Sequence, residues 1–416
     1  MKINFKFAAM AMIAAAMVTS CSDDSSEVTP AWGDEATIVK SGEALPTGQF
    51  GGELVIEEGA SVTLDGALHI TSGGVLYINP GVTITAQWDE ANCDYILIEQ
   101  GAKIEADGDA AAGVIVMTST KKEIGAWGGL HICGKAPINT SIPSKSEVAG
   151  CDYGGSDAAD NSGTLRYIRL EYTGYIYNKE SECNGISFYG VGNGTKVEYC
   201  QAYRGSDDGF EFFGGTVDIK YCVVTSCSDD AFDWTDGWVG RAQFLVAYNE
   251  DESTLGYSCD CLMECDTNGD NYSVTPASHP VISNATLVSS TSSKSDGVML
   301  KAGTQIELYN SIIVGKTYSV YVKEDVADAA LTAGTSVLSY VLTDTGLTNG
   351  SASKTFSSFL TAGNNSASFS ASSLSSNYVG TVSGADSAPF SDSFFTSVSY
   401  TGAIESSNDW TKGWTL

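Results

Sequence analysis

From Gly51 onward the chain alternates apolar and polar positions in short runs. Leu54-x-Ile56, Val62-x-Leu64, Val75 to Ile78 and Val82-x-Ile84 carry the pattern, with Gly or Pro-Gly between runs. A period of two belongs to strands, because successive side chains point to opposite faces. Longer runs of the same kind follow at Thr164 to Tyr172, Gly240 to Tyr248, Val281 to Val288 and Ile306 to Val314. Gly150 to Gly163 and Asn249 to Pro276 are polar and read as a loop and an insertion. A short helix is expected around Val326 to Ala333.

These runs repeat. Ser206-Asp207-Asp208 returns as Ser228-Asp229-Asp230, an offset of 22 residues, and Tyr199-Cys200 returns as Tyr221-Cys222 at the same offset. Earlier, the rung around Gly81 returns around Gly101, an offset of 20. A fixed period of this size marks one supersecondary unit stacked on the next. Short strands separated by Gly and Asp at that period predict an all-β fold, a right-handed parallel β-helix. Equivalent residues then lie about 4.8 Å apart, so Ser206 should sit directly beside Ser228. Cys200 and Cys222 should stack inside as small hydrophobes. The expected layout is a β-helix over 46–325 and a C-terminal cap over 326–416. The cap is inferred from the closing aromatics Phe394, Phe395, Tyr400, Trp410 and Trp414, because a solenoid needs its open ends covered.

Composition narrows the partners. Asp and Glu number 51 against 21 Lys and Arg, for a net charge of −30. Such a chain repels nucleic acid and anionic lipid, and suits cations, basic partners or neutral sugars. Lys2 and Lys6 precede an apolar run, Phe7 to Val18, that is too short to span a bilayer. Val18-Thr19-Ser20-Cys21 then resembles a bacterial lipobox. Segment 1–21 is expected to be a lipoprotein signal peptide ending at a lipidated Cys21, followed by an acidic tether over 22–45. Ser22-Asp23-Asp24 resembles the acidic export tag of surface lipoproteins, so the expected location is the outer membrane, lipid-anchored and exposed. Of 11 cysteines, ten remain after lipidation, which permits disulfides in an exported chain. Cys259, Cys261 and Cys265 do not have a structural zinc spacing and read as loop disulfides.

Three segments carry a family resemblance: Trp127-Gly128-Gly129-Leu130 through Asn139; Asp207-Asp208-Gly209-Phe210-Glu211-Phe212-Phe213-Gly214-Gly215; and Tyr400-Thr401-Gly402-Ala403-Ile404 through Trp414. Together they resemble a family of exported β-helix proteins of Bacteroidota, similar in fold to pectin lyases. The resemblance runs from about Gly51 to the C-terminus and implies the fold and a surface location. The number of cysteines departs from it.

The candidate chemistry gathers on the repeated pair of coils. Asp207, Asp208, Glu211, Asp229, Asp230 and Asp233 form an acidic ladder, and Glu264, Asp266 and Asp270 follow in the insertion. Carboxylates one strand spacing apart repel, so they require a cation, a proton or full solvation. Hard oxygen donors in this number suit Ca²⁺. The structural alternative is that each Asp serves a turn. Lyases of this fold pair Ca²⁺ with a basic residue, which makes Arg204 the candidate base and Arg241 the reserve. Hydrolases of this fold use paired Asp residues, which Asp207 and Asp208 resemble. For Arg204 the alternative is a salt bridge to the ladder. His69, His131 and His279 read as structural. Trp234 and Trp238 are candidate outward rings for stacking on a sugar, while Phe210 and Phe232 read as core. The expectation is a surface protein that binds a glycan or other extracellular ligand, with Ca²⁺ as the candidate ion and an outer-membrane receptor as a candidate partner. Polysaccharide lyase or glycoside hydrolase activity, and a structural role in an uptake complex, are the alternatives.

Overall fold

Two parallel sheets form opposite walls of a right-handed β-helix in the computed structural model, which describes residues 32–178, 181–290, 292–349, 359 and 363–416. The segment 1–21 expected to be a signal peptide, with Cys21, and Ser22-Asp23-Asp24 lie outside the described residues. No helix among the described residues is long and apolar enough to cross a membrane.

The narrower sheet has 11 strands, all parallel, and includes Ile186–Tyr189, Phe210–Phe213, Phe232–Thr235 and Met263–Cys265 in register. The wider sheet has 14 strands and includes Gly163–Glu171, Lys196–Tyr203, Asp218–Thr225 and Arg241–Asn249. Phe210 pairs with Phe232 and Gln201 with Val223, which is the 22-residue period read from the sequence. Ser228 Oγ–H donates to the carbonyl of Ser206 at 2.8 Å, so the two serines occupy neighbouring coils.

The interior is filled by one apolar column per inward position. In the narrow sheet Phe210 and Phe232 share one column, with centroids 5.6 Å apart, and Phe188 and Phe212 share the next, 5.1 Å apart. Cys200 and Cys222 are fully buried in the same core. Four successive strands of the wide sheet each bend at one residue in the left-handed region: Tyr167, Tyr199, Tyr221 and Phe244 have φ of 49°, 54°, 57° and 58°. A non-glycine residue there costs about 1–2 kcal/mol. The rings at this bend stack outside the sheet at centroid distances of 4.5, 4.5 and 4.9 Å, which offsets part of that cost.

Four expectations change. Thr37–Val39 already pairs with Leu54–Ile56, so the solenoid begins inside the stretch expected to be tether. At the other end Val337–Thr343 and Leu347–Asn349 extend the two sheets, so the coils continue past 325, with the helix Asp325–Ala333 between them. The C-terminal segment runs back along the outside of the wide sheet. Asn310 Nδ2 bonds Asp386 O, Asn284 Nδ2 bonds Tyr400 O, and Arg169 Nη1 bonds Trp414 O. It therefore covers a flank, because the ring column there is the apolar surface that needs cover. Finally, all ten described cysteines are unpaired thiols. Met263–Cys265 is a strand of the narrow sheet, and its parity buries Cys265 in the core, away from any loop partner.

Candidate functional site: a carboxylate ladder and a tyrosine pocket

Strand parity builds the ladder. In Phe210–Phe213 and Phe232–Thr235 the first and third residues face inward, which sends Glu211 and Asp233 outward. Register then stacks Ser187, Glu211, Asp233 and Glu264 into one outward column. The turn just before each strand supplies two more columns by the same register. One holds Asn184, Asp208 and Asp230; the other holds Asp207, Asp229 and Asp260.

The middle column joins the coils. Asp208 N–H donates to Asn184 Oδ1 at 3.2 Å, Asp230 N–H to Asp208 Oδ1 at 2.9 Å, and Cys261 N–H to Asp230 Oδ1 at 2.5 Å. Asp208 and Asp230 thus spend one oxygen on the backbone of the next coil, rather than on their own turn. Asn184 is the residue that sequence reasoning missed. Its Nδ2–H donates to Glu211 Oε2 at 2.5 Å and to Ser187 Oγ at 3.0 Å. The signal was present, since Asn184 stands two residues before Ile186 as Asp208 stands two before Phe210.

The remaining oxygens converge. Within each of the triads Asp207/Asp208/Asp229, Asp208/Glu211/Asp233 and Asp230/Asp233/Glu264, one oxygen per residue lies within 4.8 Å of the others. Asp208 and Asp230 are only 5% and 4% exposed, while Asp229 opens to solvent. Asp233 Oδ1 and Asp266 Oδ1 are buried with no hydrogen-bond partner. Burial, reinforced by neighbouring acids, pushes the carboxyls of Asp208, Glu211, Asp230 and Asp233 well above the usual range. Asp207 is pushed up to about 8, by burial first and then by Glu182 and Asp229. Glu147 keeps solvent access yet lies close enough to press on Glu211, and the protein around it, with Asp236 and Glu182, pushes it up to about 7.

Compensating cations reach only the far end. Lys301 Nζ lies 2.9 Å from Glu264 and 3.9 Å from Asp266, and Lys294 Nζ lies 2.9 Å from Asp260. Among the described residues no Lys or Arg forms an ion pair with Asp207, Asp208, Glu211, Asp229, Asp230 or Asp233. Arg204 is engaged elsewhere: its Nε and Nη2 grip Glu250 at 3.0–3.1 Å. Arg241 is held by Asp218 and Asp392. Neither arginine pairs with the ladder. Asp270 is exposed on its own loop and belongs to none of the triads.

Trp234 and Trp238 do not form a sugar platform. They are 0% and 1% exposed, and Trp238 lies flat on Phe212 at 4.1 Å. The reason is parity: Trp234 is two residues from the inward Phe232 and shares its face. Another set of rings, with Tyr95 itself buried, lies on the N-terminal side. Tyr95, Tyr175 and Tyr177, with Asp65 and Asn92, line a cavity of about 470 Å³. Tyr177 is 38% exposed, and its hairpin, Ile176–Asn178 with Ser181–Glu182, also carries the Glu182 that presses on Asp207. The hairpin thus borders both features.

His69 bridges Glu99 and the Tyr95 hydroxyl at 3.3 and 2.9 Å, and His279 faces Glu307 at 3.5 Å. His131 is fully buried, bonded to Gly128 O at 2.7 Å, and burial lowers it to about 4.

Comparison with known proteins adds one match. Residues 48–415 fit the family model described as a pectate-lyase-like beta helix domain. No curated protein and no solved structure matches the chain. A fold of this kind is consistent with a carbohydrate-related role. The match covers the narrow sheet, all but the first strand of the wide sheet, the ladder and the returning C-terminal segment, and the chain therefore belongs to the family of pectate-lyase-like beta helix domains.

Proposed function

We propose that this β-helix is a lipid-anchored surface protein that binds an acidic glycan through a divalent cation held by the ladder. The observation that carries the reading is the run of crowded carboxylates, two of them buried and most of the rest half-buried, without a basic partner among the described residues. Asp207, Asp229, Glu211 and Asp233 would hold the ion, with Asp208 and Asp230 behind them. Ca²⁺ fits the donor set, which is oxygen only and flexible in number. Asp233 Oδ1, buried without a partner, is the atom that most needs it. The ion would neutralise the ladder and present free coordination positions to a uronate or sulfate. The tyrosine cavity beside it suits the apolar face of a sugar ring. The anchor is Cys21, and a receptor of the outer membrane is the partner this location offers.

The commitment of both arginines favours binding over lyase chemistry. A lyase base must be free to take a proton, whereas Arg204 is clamped by two carboxylate oxygens. Lys301, the nearest cation, is held protonated by Glu264. A hydrolase is the second reading, supported by Asp207, whose raised carboxyl could act as an acid beside Asp229.

The test is retention of the intact soluble domain on immobilised polygalacturonate, alginate and neutral glucan, with Ca²⁺ or chelator. Binding to an acidic polymer that requires Ca²⁺ and is lost in Asp233→Asn supports the proposal. Retention indifferent to both chelator and Asp233→Asn overturns it. Release of reducing ends that depends on Asp207 would establish the hydrolase, and unsaturated products would establish a lyase.

A further inference from the structure

The ten thiols among the described residues differ in which can react. Most cannot: Cys200 and Cys222 lie inside the solenoid, and Cys133, Cys227, Cys259, Cys261 and Cys265 are also buried. Cys93 is different. It is half-buried on the rim of the tyrosine cavity, and its Sγ lies 3.9 Å from Cys183 Sγ, across 90 residues of sequence. The space for this contact is made by Gly128 of the Trp127-Gly128-Gly129 motif. A Cβ at that position would come within 2.7 Å of Cys93 Sγ and 2.9 Å of the Tyr95 side chain. The neighbouring Gly129, at φ +70°, lets the chain pass the carbonyl of Asn184. The glycine pair therefore seats Cys93 against the segment that carries Cys183 and Asn184.

We infer that Cys93 and Cys183 are the site of a disulfide that fastens the hairpin Ile176–Asn178/Ser181–Glu182 to the coil beneath it. The sulfurs need to close from 3.9 Å to about 2.05 Å. The movement falls on an exposed turn, Asp89 to Asn92, rather than on the core. The oxidant is a small disulfide such as oxidised glutathione. The accessible Cys93 thiolate attacks it, forms a mixed disulfide and releases one thiolate. Cys183 then gives up its proton and attacks the Cys93 sulfur, displacing the second thiolate. The two cysteine sulfurs lose two electrons, the oxidant is reduced to two thiols, and the two protons end on them. Cys151 packs beside the same cluster and is the competing partner.

The cross-link joins two walls of the cavity. Tyr175 O–H already donates to Glu90 O at 3.0 Å across the same gap, and Cys183 N–H donates to Tyr175 O at 3.1 Å. A covalent bond there fixes Tyr175 and Tyr177 over Tyr95, and it fixes Glu182 over the ladder. This inference does not depend on the cation or on glycan binding.

The experiment uses the full soluble chain, equilibrated with oxidised glutathione, alkylated under denaturing conditions and mapped by mass spectrometry. The expected product is one peptide pair joined through Cys93 and Cys183, with Cys200 and Cys222 alkylated. Oxidation should also slow proteolysis within 175–183 relative to the reduced protein, by tenfold or more. In Cys93→Ser, Cys183 should be recovered alkylated and the protection should vanish. Recovery of both cysteines alkylated from the oxidised wild type, or of Cys93 joined to Cys151, would overturn the assignment. Mapping the wild type makes the answer independent of how well the variant folds.

Discussion

The two outer faces of this solenoid use one device with opposite sign. On the wide sheet, Tyr167, Tyr199, Tyr221 and Phe244 stack in a column with ring centroids 4.5–4.9 Å apart. On the narrow sheet, Glu211, Asp233 and Glu264 stack by the same register. Repetition multiplies whatever a side chain does to a copy of itself. Rings at that spacing attract, so their column is a structural surface, and the chain's own C-terminal segment covers it. Carboxylates at that spacing repel, so their column needs a proton or a cation at each acid, and Lys301 of the chain itself meets it at Glu264. Between the two, the sign of the self-interaction separates a packing surface from a candidate site.

The comparison breaks first if the ring column does not need its cover. Trp414 is 1% exposed and stands edge-on to Tyr167 and Tyr199 at 5.8 and 6.1 Å. Trp414→Ala should destabilise by about 3–5 kcal/mol, as loss of a buried tryptophan does. Urea unfolding measures it, and a loss below about 1 kcal/mol would show that the returning segment is not structural.

The ladder should show the reverse dependence, on solution conditions. Without a cation, Asp207 titrates near 8 in the folded chain against an ordinary 3.8, and Glu147 near 7 against 4.5. The folded state therefore binds more protons than the unfolded state across this window. Stability is fully present below about pH 4 for these groups and falls as pH rises to about 8. In chelator the protein should melt at a lower temperature at pH 8 than at pH 5.5. At pH 8, Ca²⁺ at a hundred times its dissociation constant should restore about 2.7 kcal/mol. A melting temperature that rises from pH 5.5 to pH 8 in chelator contradicts the repulsive column.

Inside the walls the effect is smaller. Cys200→Ser places a hydroxyl at a fully buried core position and should cost roughly 1–3 kcal/mol. Unaltered melting would mean that the interior tolerates a polar atom at this coil. Surface rings should matter less again for stability. Tyr177→Ala should change unfolding by less than about 0.5 kcal/mol while weakening retention on the glycan column.

How much of this was legible in the sequence follows from range. The 22-residue period, the inward Cys200 and the stacking of Asp207 on Asp229 are local repeats, and reading two coils reveals them. Parity is legible too: Phe232 faces inward, so Trp234 must as well. What could not be read depends on contacts between distant segments. Nothing near Trp414 indicates Tyr167, and nothing near Arg204 indicates Glu250, 46 residues away. Asn184 was hidden because it carries no charge, although it occupies the same column as Asp208 and Asp230.

The last prediction sharpens the comparison with a single charge. Asp233 lies in two of the three oxygen triads, and its Oδ1 is buried without a partner. If the column is repulsive and awaits an ion, replacing this carboxylate by its neutral isostere has opposite consequences in two buffers. In chelator at pH 8, Asp233→Asn removes repulsion toward Asp208, Glu211, Asp230 and Glu264, and the variant should melt at or slightly above the wild-type temperature. In Ca²⁺ the wild type gains and the variant does not, so the order inverts. A turn-building aspartate gives no inversion, because its loss costs the same in both buffers. Thermal unfolding of the two proteins in the two buffers measures the four temperatures. An order that stays the same assigns Asp233 to structure and removes the ladder as the place where the ion is held.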